Sequence, residues 1–88
     1  MPKIKPSPRF IKAYVKLSVA LREKVDKAIL LLAENPRHPS LQTRPIQNSK
    51  GIYEARVDLN YRMTYERLPN DVLLMRTVAK HDEALKNP

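Results

Sequence analysis

The stretch from residue 51 to residue 82 constrains the fold more than any other part of this sequence. It reads GIYEARVDLNYRMTYERLPNDVLLMRTVAKHD, which is three strand-like runs separated by short turns. In residues 51–59 the odd positions from Tyr53 are apolar and the even positions from Glu54 are charged, and residues 61–68 alternate in the same way. This period of two predicts antiparallel strands that bury one face only.

The parity of the alternation limits how the first two strands pair. Partners on one face must share parity, which a pairing of Asp58 with Arg62 satisfies. We therefore predict a hairpin loop of three residues, 59–61, or a bulge at that place. The same parity puts Arg56 and Arg62 on the face away from the helices, together with Glu54 and Glu66.

Two helices are predicted before the sheet. Ser7 with Pro8 is a typical helix start, and Ser18 is the cap of a longer helix that runs to about Glu34. The predicted buried stripe of this second helix consists of Leu21, Val25, Ala28, Ile29 and Leu32. Leu30 and Leu31 widen the stripe. Residues 2–6, PKIKP, are at most a short edge strand, because each proline removes a ladder donor.

The remaining segments complete the predicted order. Residues 35–50 form a long polar connection with Leu41 and Ile46 as its expected anchors in the core. Residues 72–80 are nearly continuous in apolar side chains, which favours a central strand. Asp82 is expected to cap a short last helix over residues 83–87. The predicted fold is therefore α+β, a single domain over residues 1–88, with two N-terminal helices on one face of a small, mainly antiparallel sheet and a short C-terminal helix.

Charge is the most informative property of the composition. The chain has 88 residues and no cysteine, with 17 Lys and Arg against nine Asp and Glu, for a net charge of +8. A small domain this basic is expected to bind a polyanion or an acidic protein. The longest apolar run is too short to cross a membrane, and the N-terminus does not resemble a signal peptide, so we expect a cytoplasmic protein without a membrane partner.

The candidate site combines arginines with a histidine. Arg56 and Arg62 offer guanidinium groups that fork onto phosphate oxygens, and His81 follows the last strand. Cleavage of RNA through its 2′-OH needs a base, an acid and charge stabilisation at phosphorus, which His81, Arg56 and Arg62 are suited to supply, with Lys50 or Glu54 assisting proton transfer. We expect further RNA contacts from the basic residues Lys50, Arg44, Arg37 and Lys80.

Simpler interpretations of the same residues remain open. The arginines on this face are also suited to surface ion pairs, Arg62 with Asp58 and Arg56 with Glu54 or Glu66. His38, His81 and Asp82 have no spacing typical of a metal site, and no metal or other cofactor is expected. Gly51 is the only glycine, which excludes a glycine-rich phosphate loop. The tyrosines at 53, 61 and 65 are expected in the core.

The order of these motifs resembles the RelE/ParE toxin superfamily. The matching segments are YEARV at residues 53–57, YRMTY at 61–65 and VAKH at 78–81, together with the NPRHPSLQTRPIQ connection. The resemblance implies a RelE-like fold and a type II toxin–antitoxin module, in which an acidic antitoxin holds the toxin inactive. RelE-like members cleave mRNA on the ribosome, whereas ParE-like members inhibit DNA gyrase.

The resemblance also implies roles for particular residues. Arg62 corresponds to the phosphate-stabilising arginine of the nucleases, His81 to their strand-end Arg or His, and Lys50 and Arg56 to basic residues of the cleft. Where active nucleases often carry a tyrosine, four residues after the strand end, this chain has Leu85. The leading hypothesis is thus a ribosome-dependent mRNA endoribonuclease, and the alternatives are a gyrase-directed toxin and an inactive basic interaction module.

Overall fold

Five strands and three α-helices make up the chain in the computed structural model, which describes residues 1–88. The strands are β1 (Lys3–Pro6), β2 (Arg44–Pro45), β3 (Ile52–Arg56), β4 (Tyr61–Leu68) and β5 (Val72–Lys80). The helices are α1 (Pro8–Val15), α2 (Val19–Glu34) and α3 (His81–Lys86). The α+β prediction is confirmed, as are the full extents of β4 and β5.

Serine caps begin the two long helices, as predicted. The Ser7 hydroxyl accepts a hydrogen bond from the Phe10 N–H (3.1 Å), and the Ser18 hydroxyl accepts one from the Leu21 N–H (3.2 Å). Each cap satisfies an N–H that has no partner within its helix. At the other end of α2, Asn35 has extended backbone angles, as expected for a residue before proline.

The strands form one mixed sheet in the order β1-β5-β4-β3-β2. Only β1 is parallel to its neighbour, β5, and the other pairs are antiparallel. The segment 2–6 is thus an edge strand, and β5 lies inside the sheet as its apolar sequence predicts. Asn70 and Asp71 adopt positive φ angles in the turn between β4 and β5, which is typical of a tight hairpin.

The predicted parity of the β3–β4 hairpin is correct, but its register is wrong by two residues. Arg56 lies opposite Arg62, not Thr64, and the Val57 N–H donates to the Tyr61 carbonyl (3.1 Å). The loop is therefore 58–60. The Asp58 carboxylate explains the shift, because its Oδ1 accepts hydrogen bonds from the N–H groups of Asn60 (2.9 Å) and Tyr61 (2.8 Å) and so holds Asp58 in the turn.

The core lies between the sheet and the first two helices. Leu41 and Ile46 are buried, as predicted for the connection between α2 and β3. Two apolar predictions fail: Leu30 is 65% exposed on α2, and Leu59 is 74% exposed in the hairpin loop. The main core cluster consists of Phe10, Val25, Ala28, Leu32, Leu41, Ala55, Met63, Tyr65, Leu73, Met75 and Val78.

The opposite side of the sheet, which we call the outer face, is partly covered by α3. This helix contacts β4 and β5, and its Ala84 is fully buried. Beneath it, Glu54 and Thr64 lie directly opposite each other in β3 and β4, and both are buried. The sequence predicted Glu54 on a solvated face; it is buried because the chain folds back over that face after β5.

The connection before β3 has structure of its own. A 3₁₀ turn spans Pro39–Leu41, and β2 pairs with β3 through Arg44 opposite Glu54. Gly51 has a φ of 76° in the turn that leads into β3, a conformation that favours glycine. Among the three helices, none is both long enough and apolar enough to cross a membrane.

Candidate nucleic-acid interface

The three predicted catalytic residues have neighbouring backbone positions at one end of the sheet, but the Arg56 side chain lines a cavity with Lys24 and Lys27 of α2, so the prediction that it lies on the face away from the helices is wrong. Arg56 and Arg62 are paired across β3 and β4, and Arg62 lies opposite Ala79 of β5. The backbone N–H of His81 donates to the carbonyl of Asn60 in the hairpin loop (2.8 Å), which fixes the start of α3 beside this end. We call this arrangement the Arg56–Arg62–His81 cluster.

Arg62 is held by bonds within the chain. Its Nη1 donates to the carbonyls of Asp58 (2.7 Å) and Tyr61 (3.0 Å), and its Nε lies 3.7 Å from Glu54 Oε1. Its side chain is only 13% exposed. These bonds stabilise the hairpin and leave Nη2 as the nitrogen without a partner. Arg62 is therefore a fixed positive charge at the rim of the cluster.

Arg56 has a different environment from Arg62. It is half-buried at the end of β3, and no carboxylate lies within ion-pair distance of it. The ion pairs considered for these arginines are not formed, because Asp58 pairs with Lys24 (3.3 Å) and Glu66 pairs with Arg76 (3.0 Å). The guanidinium of Arg56 is therefore available to an external anion.

The position of His81 differs in one respect from the prediction. His81 is the first residue of α3, and Asp82 lies within the first turn, so Asp82 does not cap the helix. Its carboxylate oxygen Oδ1 lies 3.3 Å from Nδ1 of His81, whose side chain is 38% exposed. A carboxylate at Nδ1 orients the ring, which leaves Nε2 to exchange a proton with a substrate.

The carboxylate of Asp58 organises the loop beside this cluster. Burial acts to raise the pKa of Asp58, but hydrogen bonds from the Asn60 and Tyr61 N–H groups and the ammonium of Lys24 outweigh it and lower the pKa below its ordinary value. Asp58 is thus a structural anion near neutral pH. It fixes Asn60, whose carbonyl in turn holds His81.

The four predicted RNA contacts divide into two groups. Lys80 precedes His81, and both line a cavity beside the hairpin loop. Lys50 lies in the turn before β3, whose two ends, Ile52 and Arg56, are about 13 Å apart at ~3.3 Å per residue. Arg37 and Arg44 line another cavity, at the side of the sheet where β2 pairs with β3. The sequence predicted all four as RNA contacts, and the structure does not bring them together.

Further basic residues, which the sequence did not predict as RNA contacts, lie close to Lys80. A cavity of about 530 Å³ between α1 and β5 is lined by residues that include Arg9, Lys12, Lys16 and Lys80. The helical spacing of the first three was visible in the sequence, since it places them on one side of α1. What the sequence lacked was the position of α1 beside the end of β5, close to Lys80.

The other candidate groups contribute less to this site. Leu85 is half-buried and lines a cavity of about 470 Å³ with Arg44 and Glu54, so no aromatic ring is present there. No three His, Cys, Asp or Glu side chains lie close enough together to hold a metal ion. Tyr53 and Tyr65 stack with their ring centroids 5.6 Å apart and pack on the core, as predicted.

Comparison with solved structures identifies the fold. YafQ from Escherichia coli strain BL21(DE3) is 25% identical over 94% of this chain and 97% of its own, with a TM-score of 0.73. RelE in the archaeal RelE–RelB complex from Pyrococcus horikoshii OT3 has a TM-score of 0.75 at 18% identity, covering 94% of this chain and 98% of RelE. The YoeB/ParE toxin from Agrobacterium tumefaciens has a TM-score of 0.74 at 15% identity, covering 90% and 98%.

These structures define the chain as a protein with the fold of bacterial and archaeal toxins of toxin–antitoxin systems. The resemblance to the RelE/ParE toxin superfamily is thereby confirmed. No family model matches the sequence, and no curated protein does. Structures of YafQ with DinJ are described as toxin–antitoxin complexes.

Proposed function

We propose that this chain is the toxin of a type II toxin–antitoxin module and that it cleaves mRNA on the ribosome. The observation that carries the proposal is the Arg56–Arg62–His81 cluster at one end of a RelE-type sheet. Two guanidinium groups and a partly exposed imidazole supply the charge stabilisation and one of the two proton transfers that cleavage through the 2′-OH needs. Since the proposed target is the translating ribosome, the proposed site of action is the cytoplasm.

The proposed mechanism is an attack of the RNA on its own phosphate. The 2′-oxygen forms a bond to phosphorus while the bond from phosphorus to the 5′-oxygen breaks, leaving a 2′,3′-cyclic phosphate and a free 5′-hydroxyl. His81 takes the proton of the 2′-OH at Nε2 while solvent water protonates the leaving 5′-oxygen, or His81 protonates the 5′-oxygen while water takes the proton of the 2′-OH. Arg56 binds a non-bridging phosphate oxygen, and the fixed charge of Arg62 stabilises the negative charge that develops in the transition state.

The proposed protein partner is an acidic antitoxin. YafQ and RelE were solved with DinJ and RelB, and the net charge of +8 on this chain favours an acidic partner. Copurification of the chain with a coexpressed acidic protein encoded beside it, lost above about 0.5 M salt because surface charges are then screened, is the expected observation.

The decisive experiment is cleavage of mRNA on purified ribosomes. Wild type is compared with His81→Ala and Arg62→Ala, and cleavage products are mapped at their 5′ ends. Loss of a general acid or base is expected to slow cleavage by about 10²-fold or more, and loss of the phosphate-stabilising charge by a similar factor. Undiminished cleavage by both variants would exclude the assignment of the site.

A matched control separates the effect on cleavage of losing one positive charge from the effect of losing a residue of the site. Lys5 is exposed on the edge strand β1, where it pairs with Leu74 near the start of β5, whereas His81 follows the other end of β5. Lys5→Ala removes one positive charge, as Arg62→Ala does, and is expected to cleave at the wild-type rate. Circular dichroism melting of each variant shows whether Arg62→Ala remains folded under the conditions of the assay.

A toxin that acts on DNA gyrase without chemistry is the second candidate. The enclosure of Arg62 favours it, because a guanidinium bonded to two carbonyls serves a structural role as well as a catalytic one. This candidate predicts growth arrest with supercoiling defects and intact transcripts. Expression of His81→Ala distinguishes the two, since only the nuclease depends on the imidazole.

A further inference from the structure

A second basic cavity lies at the side of the sheet formed by β2 and β3. It has a volume of about 410 Å³, and its lining includes Arg37, His38, Arg44, Tyr53, Tyr65 and Arg67. No Asp or Glu side chain is among its lining residues. We call it the Arg37–Arg44–Arg67 cavity, and it shares no lining residue with the cavity beside His81.

Two of the three arginines of this cavity have no acidic partner within the chain. No carboxylate lies within ion-pair distance of Arg37 or Arg67, and Arg44 has a single contact, its Nε lying 3.5 Å from Glu54 Oε1. Three guanidinium groups around one cavity repel one another. Such an arrangement is stabilised when an anion enters it.

The aromatic rings of the cavity already pack against other side chains of the protein. The Tyr53 ring is stacked on Tyr65, and the Arg67 guanidinium lies over it at 5.2 Å from the centroid. A guanidinium held over a ring keeps its N–H donors at its edge. The cavity therefore presents guanidinium edges to a ligand, which suits an oxyanion better than a base.

The loop that carries Arg37 is fixed before any ligand binds. The Asn35 side chain accepts a hydrogen bond from the Arg37 N–H (3.0 Å), and the Thr43 hydroxyl donates to the Pro36 carbonyl (2.9 Å). The Ser40 N–H donates to Nδ1 of His38 (3.2 Å), so the neutral ring carries its proton on Nε2 as a donor. A preorganised set of donors loses little entropy on binding.

We propose that the Arg37–Arg44–Arg67 cavity binds a phosphate group of single-stranded RNA, at a site separate from the Arg56–Arg62–His81 cluster. A carboxylate is satisfied by one forked arginine, whereas a phosphate presents more oxygens than one guanidinium can bind, and this favours RNA over an acidic peptide. The two sites are linked through β3, where Tyr53 and Arg56 are about 10 Å apart at ~3.3 Å per residue. The proposal rests on the proposed function only in taking RNA as the ligand.

The test measures RNA binding without cleavage. A fluorescent single-stranded RNA, 2′-O-methylated throughout so that it lacks the attacking hydroxyl, is titrated at several salt concentrations and followed by anisotropy. In Arg37→Gln/Arg67→Gln the slope of log K against log salt is expected to fall in magnitude by about 0.7, the value for one phosphate contact on a single strand. The affinity is expected to fall on the order of tenfold.

The controls make each outcome decisive. Lys3→Gln/Lys5→Gln removes the same charge from exposed positions on β1 and is expected to keep the wild-type slope. Arg37→Gln alone removes no contact from the fold, so reduced binding by that variant is not a consequence of unfolding. Equal binding by wild type and the double variant overturns the proposal, whatever the ribosomal cleavage assay shows.

Two competitors identify the source of the phosphate. Suppose that inorganic phosphate binds the wild type, and that RNA binds the wild type and the double variant equally. The site then serves free phosphate, and the RNA proposal is wrong. If a glutamate-rich peptide loses affinity in the double variant while RNA does not, the cavity binds an acidic protein instead. If the double variant loses RNA binding and no protein, including the wild type, cleaves mRNA, the result supports this RNA-binding site and contradicts only the proposed nuclease activity.

Discussion

Glu54 of β3 forms an ion pair with Arg62 of the neighbouring strand β4, since Glu54 Oε1 lies 3.7 Å from Arg62 Nε. The same oxygen lies 3.5 Å from Arg44 Nε. Glu54 is only 4% exposed and the Arg62 side chain 13%, so their contact is shielded from water, whereas the Arg44 side chain is 65% exposed. One buried carboxylate therefore contacts an arginine of each proposed RNA site. This relationship connects the stability of the sheet with the placement of both guanidinium groups.

Replacing Glu54 is expected to cost more than replacing an exposed glutamate. Glu54→Gln removes the charge but keeps the shape, and we expect the free energy of unfolding to fall by about 1–3 kcal/mol. Glu66→Gln is the matched control: its pair with Arg76 is about one third exposed on each side, and its loss is expected to cost less than ~1 kcal/mol. Urea denaturation measures both, and equal midpoints would contradict the role of Glu54.

Asp58 is expected to stabilise the hairpin in a pH-dependent way. Since the pKa of Asp58 is lowered in the folded state, its contribution is present above its unfolded pKa of about 4 and is lost as the pH falls through the lower, folded value. Asp58→Ala is expected to cost about 1–2 kcal/mol at pH 7, as for a lost capping residue.

The variant Asp58→Asn separates hydrogen bonding from charge. Its amide oxygen still accepts from the N–H groups of Asn60 and Tyr61, so it is expected to be more stable than Asp58→Ala at pH 7. Its stability should no longer contain the part that wild type loses below about pH 4. Identical acid unfolding curves for wild type and Asp58→Asn would show that the carboxylate charge contributes nothing.

Substitutions of Arg56 and Arg62 are expected to differ in their effect on the free energy of unfolding. Arg56 has no partner within the chain, so Arg56→Ala should change the free energy of unfolding by no more than ~0.5 kcal/mol. Arg62→Ala removes bonds to two carbonyls and is expected to cost about 1–3 kcal/mol. Thermal melts test this difference, and an Arg56→Ala variant as unstable as Arg62→Ala would contradict it.

Leu85 offers a gain-of-binding test. It lines a cavity of about 470 Å³, which has room for a larger ring. In Leu85→Tyr, stacking of a base on the new ring, worth about 1–3 kcal/mol, is expected to raise the affinity for single-stranded RNA roughly tenfold. Leu85→Met is the control for size without a ring. Equal affinities of the two variants would show that RNA does not pass over α3.

Much of the fold follows from local rules that the sequence displays. The serine caps, the antiparallel pairing of β3 with β4 and the apolar run of β5 each depend on neighbouring residues, and all were predicted correctly. The register of the hairpin was not, because it depends on a bond between the Asp58 side chain and two backbone N–H groups. A pattern of apolar and polar residues does not contain that information.

The errors at the site have a similar origin. Glu54 was placed on a solvated face because nothing in its own strand shows that α3 returns to cover it. The cavity with Arg67 was missed because its members come from the connection after α2, from β3 and from β4, which meet only in the folded chain. The neighbouring backbone positions of Arg56 and Arg62 follow from strand parity, whereas the contact of the Arg56 side chain with the α2 side does not.

The parallel pairing of β1 with β5 has a consequence for the life of a newly made chain. β1 and α1 are synthesised first, yet both pack on β5, and Lys3 lies opposite Val72. The sheet therefore closes only after nearly the whole chain has left the ribosome, and contacts between distant segments form slowly. Each molecule is thus expected to complete its sheet, and with it the proposed RNA-binding surface, only after β5 has been translated.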